Sequence, residues 1–259
     1  MPTSLTFEEH GTGIGDAWTV LRVNAARAGL GAPVPTCPGW TVLDLVAHQG
    51  MVHRWAAGCV RGEVADEERC AGIEREGLES PDPLTWLDEG ARDLLSALAF
   101  APADLDVWFF LRDAPGPRHG WARRQCHETT IHAVDAMAAA RGSVPSPSET
   151  WISPRLAADG VDELIMGFVP RRRNGLELPA PRTVVVRTTD TGEAWTMQVG
   201  EVRTTSGVGE PAADVEADVV DVSGTATQVY LALWNRGDEI SCSAPALLER
   251  WRSDVQVLW

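Results

Sequence analysis

The chain has 259 residues, 44% of them hydrophobic, enough for one large domain or two ordinary ones with a full core. It carries 37 acidic residues against 22 basic ones, all arginine, and the formal charge of −15 opposes binding to a nucleic-acid backbone; Arg171-Arg-Arg173 is the only dense basic patch. No apolar run approaches a membrane span and Met1 to Glu9 lacks the features of a secretory leader, so a soluble cytoplasmic protein with no nucleic-acid or membrane partner is expected.

The first 141 residues read as helices. Ile14, Ala17, Trp18, Leu21, Ala25 and Ala28 recur at helical spacing, and Gly29 to Gly31 ends that segment. Pro38-Gly39 precedes a second helix, opened by Thr41 and Asp44 in capping-box spacing, with Leu45, His48, Val52 and Trp55 on one face. Arg61 to Glu79, rich in charge and glycine, reads as a loop. Asp82-Pro83 is an N-cap and first-turn pair for a third helix that buries Trp86 or Leu87, with Ala91, Leu94, Leu95 and Leu98. Ala114 to Pro117 is a loop, and a fourth helix runs from about Trp121 to Arg141. Four helices so connected suggest an antiparallel bundle.

Gly142 to Ser148 is the clearest linker, and the pattern changes after it. One more helix starts at Ser153-Pro154 and runs to about Phe168. Thr183–Thr189 and Ala194–Val199 read as strands around a hairpin signal, Asp190-Thr-Gly-Glu193, and Val215–Val222 is a further strand candidate. Thr225–Trp234 and Pro245–Trp251 return to helical spacing. The expected architecture is an α domain over residues 1–147 followed by a small α+β domain over 148–259, with strand order unreadable.

Five cysteines, Cys37, Cys59, Cys70, Cys126 and Cys242, form no C-x-x-C pair and fit neither a disulfide framework nor a cysteine zinc site. Reduced, packed thiols are expected. Eleven tryptophans against one tyrosine point to core filling rather than to a chemistry.

The chemistry-bearing residues lie on the second and fourth helices. Glu128 and His132 are four apart, so they project about 40° from each other on one face, with Arg124 and Asp135 near the same stripe. His127 is about 140° from His132, and His127-Glu128 is one residue out of register for the H-E-x-x-H pattern. On the second helix His48 shares the core-facing stripe with Leu45 and Val52, and His53 does not. Two imidazoles and one carboxylate from two helices can hold a divalent ion and leave positions open for chemistry, as bundle cores do. Zinc is favoured, and the same set suits non-haem iron. Asp135 either orients a ligating imidazole or faces solvent.

Pro38-Gly-Trp-Thr-Val-Leu-Asp-Leu-Val-Ala-His48 and Glu128-Thr-Thr-Ile-His-Ala-Val-Asp135 resemble the metal-binding domain of the mycothiol-dependent maleylpyruvate isomerase family, a DinB-like four-helix bundle. Val222-Ser-Gly-Thr-Ala226, Leu231-Ala-Leu-Trp-Asn-Arg236 and Ala246-Leu-Leu-Glu-Arg-Trp251 look like the family's smaller C-terminal domain, so the resemblance covers nearly the whole chain. It implies zinc ligation by His48, Glu128 and His132 and an active-site role for Arg236. A glycine often precedes that arginine in the family, where this chain has Asn235. The bland alternative for Arg236 is a cation at a helix C-terminus.

The resemblance also implies thiol chemistry with mycothiol as cosubstrate. A thiol is mostly protonated at neutral pH, and a divalent cation beside it favours the thiolate. Attack on a small electrophilic substrate then leads to cis–trans isomerisation or S-conjugation, with no cysteine of the chain placed to take part. Two rivals are a metal-dependent hydrolase and a non-catalytic binder of a small apolar ligand; metal content separates the binder, and thiol dependence separates the hydrolase.

Overall fold

The computed structural model describes residues 3–63, 66–111, 114–171, 176, 178, 180–200, 204–211, 219–255 and 257. Arg172 and Arg173 of the basic patch, and the first half of the strand expected over Val215–Val222, lie outside them. The chain divides into two compact units, one of Thr6–Phe110 with Ala114–Pro145, the other of Ser146–Trp259 with the short pieces Met1–Leu5 and Leu111–Asp113. Among the described residues there are eight α-helices and one five-stranded sheet.

The first unit is helical. α1 (Phe7–Ala28) starts at a capping box between Thr6 and Glu9 and buries Ile14, Ala17, Leu21 and Ala25 against α5 (Pro117–Arg141). α2 (Val42–Val60) starts at the box expected from Thr41 and Asp44, and packs on α5 and on α4 (Pro83–Phe100). Asp82 caps α4 by accepting from the Thr85 amide, with Pro83 in the first turn, as its residue types dictate.

The expected loop over Arg61–Glu79 is corrected by a further helix, α3 (Glu67–Leu78), capped by Asp66 with Glu67 and Glu68 in its first turn. α3 packs on α2 through a slot for the Trp86 ring. A Cβ on Gly50 would lie 2.1 Å from Trp86 Cζ3, and one on Gly77 2.7 Å from the same atom, so only glycine lets the three helices approach this closely.

α5 is buried without interruption from Gly120 to Ala136, which no amphipathic helix would be. Its polar residues are therefore interior groups that need partners. Trp55, Trp121, Phe109 and Phe110 form a separate aromatic cluster in this unit, with Trp55 and Trp121 edge to face at 5.1 Å.

In the second unit α6 (Pro154–Asp162) continues as a π-helical turn over Glu163–Phe168. The strands are β1 (Arg182–Thr188), β2 (Ala194–Val199), β3 (Thr204–Val208), β4 (Val219–Gly224) and β5 (Ser241–Cys242), in the order β3-β2-β1-β4-β5. β1 pairs parallel with β4 and antiparallel with β2, so it is central, and Val184, Val185 and Val186 are buried in sequence. α7 (Ala226–Leu233) starts at a capping box between Thr225 and Gln228 and packs on α6, β1 and β4. α8 (Pro245–Asp254) follows, its Trp251 indole donating to the Leu233 carbonyl at 2.8 Å. No helix among the described residues is long and apolar enough to cross a membrane.

Candidate metal and thiol site

The site begins in the loop before α2. Pro38 and Gly39 occupy the centre of a tight turn closed by a hydrogen bond from the Trp40 amide to the Cys37 carbonyl, and Gly39 takes φ 88°. That is the backbone Pro-Gly encodes in a type II turn. The loop is tied down by bonding of the Val34 amide to the Trp40 carbonyl and by a bridge between Pro33 and Thr41. Cys37 and Trp40 are thereby held beside the first turns of α2.

Helix geometry then brings the expected trio together. His48 Nε2 lies 3.6 Å from Glu128 Oε1, and His132 Nε2 lies 3.3 Å from the same oxygen. The three ligand atoms all fall within 4.8 Å of one another. Neither imidazole contact has hydrogen-bond geometry, so Oε1 is a buried acceptor without a hydrogen-bond partner. The other oxygen, Oε2, accepts from the Arg124 guanidinium at 3.0 Å. The carboxylate thus presents one oxygen to the imidazoles and keeps the other occupied.

Each imidazole has a carboxylate behind it. His132 Nδ1 is 2.9 Å from Asp135 Oδ2, and His48 Nδ1 is 3.7 Å from Glu74 Oε1. A carboxylate behind Nδ1 turns Nε2 forward and makes it a better donor, the arrangement found behind metal-ligating histidines. Trp40 lies against both rings, nearly parallel to His132 with centroids 6.2 Å apart and tilted over His48 at 5.0 Å.

The electrostatics follow from burial. Desolvation disfavours a charged His48, but Glu128 and Glu74 outweigh it and raise the imidazole to about 9. Burial would likewise raise the Glu128 carboxyl, yet the facing imidazoles of His132 and His48, with Arg124, hold it well below the usual carboxylate range. The cluster is built around an ionised carboxylate with two imidazoles facing one of its oxygens. Two imidazole nitrogens and one carboxylate oxygen, the unpartnered Oε1, fit a divalent ion.

Several residues stand differently from expectation. His48 is only partly buried, whereas His53 is the fully buried histidine of α2, so the core-facing stripe does not by itself single out His48. Cys37 is not remote: its Sγ donates to Asp135 Oδ2 at 3.4 Å, and Cys37, His132 and Asp135 group closely enough to be a second donor cluster. Glu74 was hidden in a segment read as loop. Asp66 followed by two glutamates is the signal that could have found that helix.

Arg236 lies in the second unit, just past α7. Asn235 has φ 61°, the left-handed conformation that glycine favours and asparagine tolerates. The Arg236 amide bonds the Leu231 carbonyl at 2.7 Å and the Asn235 amide bonds that of Ala232 at 3.0 Å, a Schellman cap. Asn235 therefore holds a backbone that glycine would adopt. The Arg236 guanidinium donates to the Trp234 carbonyl at 2.7 Å, which is the helix-terminal role open to it.

The family model for the mycothiol maleylpyruvate isomerase N-terminal domain matches residues 13–137, and that for the MDMPI C-terminal domain matches residues 155–239. No curated protein matches the chain significantly. Among solved structures, that of the mycothiol-dependent maleylpyruvate isomerase is similar with TM-score 0.64 and 18% identity, covering 94% of this chain and 96% of that chain. A histidine-to-alanine variant of the mycothiol-dependent maleylpyruvate isomerase is similar with TM-score 0.64 and 15% identity over the same shares, 94% and 96%. At such identities these neighbours speak for the fold. Because the two domain models lie end to end over most of the sequence, the chain belongs to the mycothiol-dependent maleylpyruvate isomerase family, a family of enzymes.

Proposed function

We propose that the chain is a mycothiol-dependent cis–trans isomerase or S-transferase in which His48, Glu128 and His132 hold a divalent ion, zinc by preference. The observation that carries this reading is Glu128 Oε1, buried without a hydrogen-bond partner between two imidazole nitrogens. We take α1, α2, α4 and α5 as the DinB-like four-helix bundle, residues 1–147 as the domain that handles the thiol, and 148–259 as its α+β companion; the packing of α1 on α5 and of α2 on α4 and α5 supports this.

When bound, such an ion supplies Lewis acidity that favours the thiolate of a thiol beside it. The chain's own residues prepare the place. Asp135 and Glu74 turn the imidazole Nε2 atoms forward, Arg124 keeps Glu128 to one free oxygen, and Trp40 covers the two rings. Addition of the thiolate to an electrophilic carbon, rotation about the bond that has lost its double character, and expulsion of the same thiolate give isomerisation without consuming thiol. If the adduct is retained, the product is an S-conjugate. Arg236 is assigned to steady a substrate carboxylate, a role suited to a planar, permanently charged fork.

The test is to follow isomerisation of maleylpyruvate, the substrate named for the family, and conjugation of small electrophiles, with mycothiol or zinc each added or withheld. Turnover that needs both supports the reading. Hydrolytic turnover that needs the ion but no thiol points to a hydrolase, and absence of any ion requirement sinks the proposal.

A further inference from the structure

Next to the three converging side chains, α2 and α5 are joined by a polar cluster that the proposed chemistry does not use. Thr129 Oγ1 lies 2.7 Å from the Gln125 carbonyl oxygen, 3.0 Å from His53 Nε2 and 3.4 Å from Gln49 Nε2. A hydroxyl has a single proton and a carbonyl can only accept, so Thr129 donates to Gln125 and accepts from the other two. His53 Nε2 therefore carries a proton, its buried and unpartnered Nδ1 disfavours a second one, and both lone pairs of the hydroxyl are engaged.

Gln49, His53, Gln125 and Thr129 are fully buried. His53 Nδ1 and Gln49 Oε1 have no hydrogen-bond partner. An apolar trio would fill the same space without stranding two acceptors, so stability alone does not account for these residue types. Their placement does. Gln49 follows His48 in sequence and Thr129 follows Glu128, so the bonds link α2 to α5 at the level where the two helices present their ligand atoms 3.6 Å apart.

We infer that the hydrogen bonds from Gln49 and His53 to Thr129 fix the spacing of α2 and α5 at the metal site, and thereby set its affinity and coordination geometry. This rests on the reading of His48, Glu128 and His132 as metal ligands. Zinc–nitrogen and zinc–carboxylate bonds tolerate only a few tenths of an ångström around about 2.0–2.2 Å, so a small slip between the helices is felt directly by the ion. Thr129, His53 and Gln49 are positioning residues here.

The experiment compares the parent with Thr129→Val and Thr129→Ser, reading zinc dissociation constants by chelator competition and the visible absorption of the Co2+-loaded proteins. Thr129→Val is expected to bind zinc roughly 10- to 100-fold more weakly, as loss of an outer partner does, and to change the cobalt spectrum. Thr129→Ser, which keeps the hydroxyl, should match the parent in both. Should Thr129→Val not fold, the combined Gln49→Leu, His53→Leu and Thr129→Val variant supplies an apolar contact and should show the same weakening. Parental affinity and spectrum in a folded variant without the hydroxyl would overturn the inference alone. A parent that takes up no zinc, indistinguishable from His132→Ala, would overturn the metal reading as well.

Discussion

His132 Nδ1 and Asp135 Oδ2 are 2.9 Å apart on one face of α5, and this contact turns the other ring nitrogen toward Glu128. Asp135 is fully buried and Glu74, which stands behind His48 at 3.7 Å, is partly exposed. Their removal should therefore differ in effect. Asp135→Asn is expected to weaken zinc binding about 10- to 100-fold, and Glu74→Gln only a few-fold, because water screens and replaces the longer contact. Chelator competition on the two variants measures the difference, and equal losses would contradict the geometry.

His53 predicts an acid-sensitive stability. Burial, aided by Arg54, His132 and His48 and only partly opposed by Glu128, lowers its imidazole from 6.5 to about 3. Between those two values the unfolded chain takes up a proton that the folded chain refuses. The stability His53 confers is complete above pH 6.5 and is lost as pH falls toward 3, by up to about 1.4 kcal/mol per pH unit. Urea unfolding of chelator-treated protein between pH 7 and 4 should show this slope. His53→Gln should flatten it; an unchanged slope would assign the acid sensitivity to other groups.

The slot for Trp86 gives a packing prediction. Gly50→Ala would set a Cβ 2.1 Å from the indole, which must then move with α3 or α4. Destabilisation of about 3 kcal/mol is expected, the upper end for overpacking a close contact. A melting temperature equal to that of the parent would show that the ring has room to shift.

Arg236 separates two roles by its conservative variant. If it steadies a substrate carboxylate, Arg236→Lys should lower kcat/KM about 100-fold or more with zinc uptake unchanged, since lysine lacks the bidentate fork. If the guanidinium only caps α7 through the Trp234 carbonyl, turnover should hold and thermal stability alone should fall.

The parts of this structure legible in the sequence were those written in local periodicity and capping. Thr41 with Asp44 and Asp82 with Pro83 start their helices where the residue types require. Glu128 and His132 share a face because four residues make about one helical turn. Helix α3 was unreadable by periodicity because Gly77 is its only buried residue, so no apolar stripe exists to find. Strand β3 hides for a similar reason: only its first residue, Thr204, is buried, which leaves no alternation, and β5 is two residues long. Cys37 and Glu74 reach the site through a turn and a helix contact, tertiary facts that spacing does not encode. Helical spacing puts His48 rather than His53 on the core-facing stripe, yet the structure buries His53 more deeply and leaves His48 partly exposed beside Trp40.

The central claim is that two helices converge on one ion. Protein produced in zinc-supplemented medium, desalted and analysed for metal, should carry one zinc per chain, while His48→Ala, Glu128→Gln and His132→Ala should carry almost none and keep the helical circular dichroism of the parent. A parent devoid of metal, or a His132→Ala variant that retains its full complement, would contradict it.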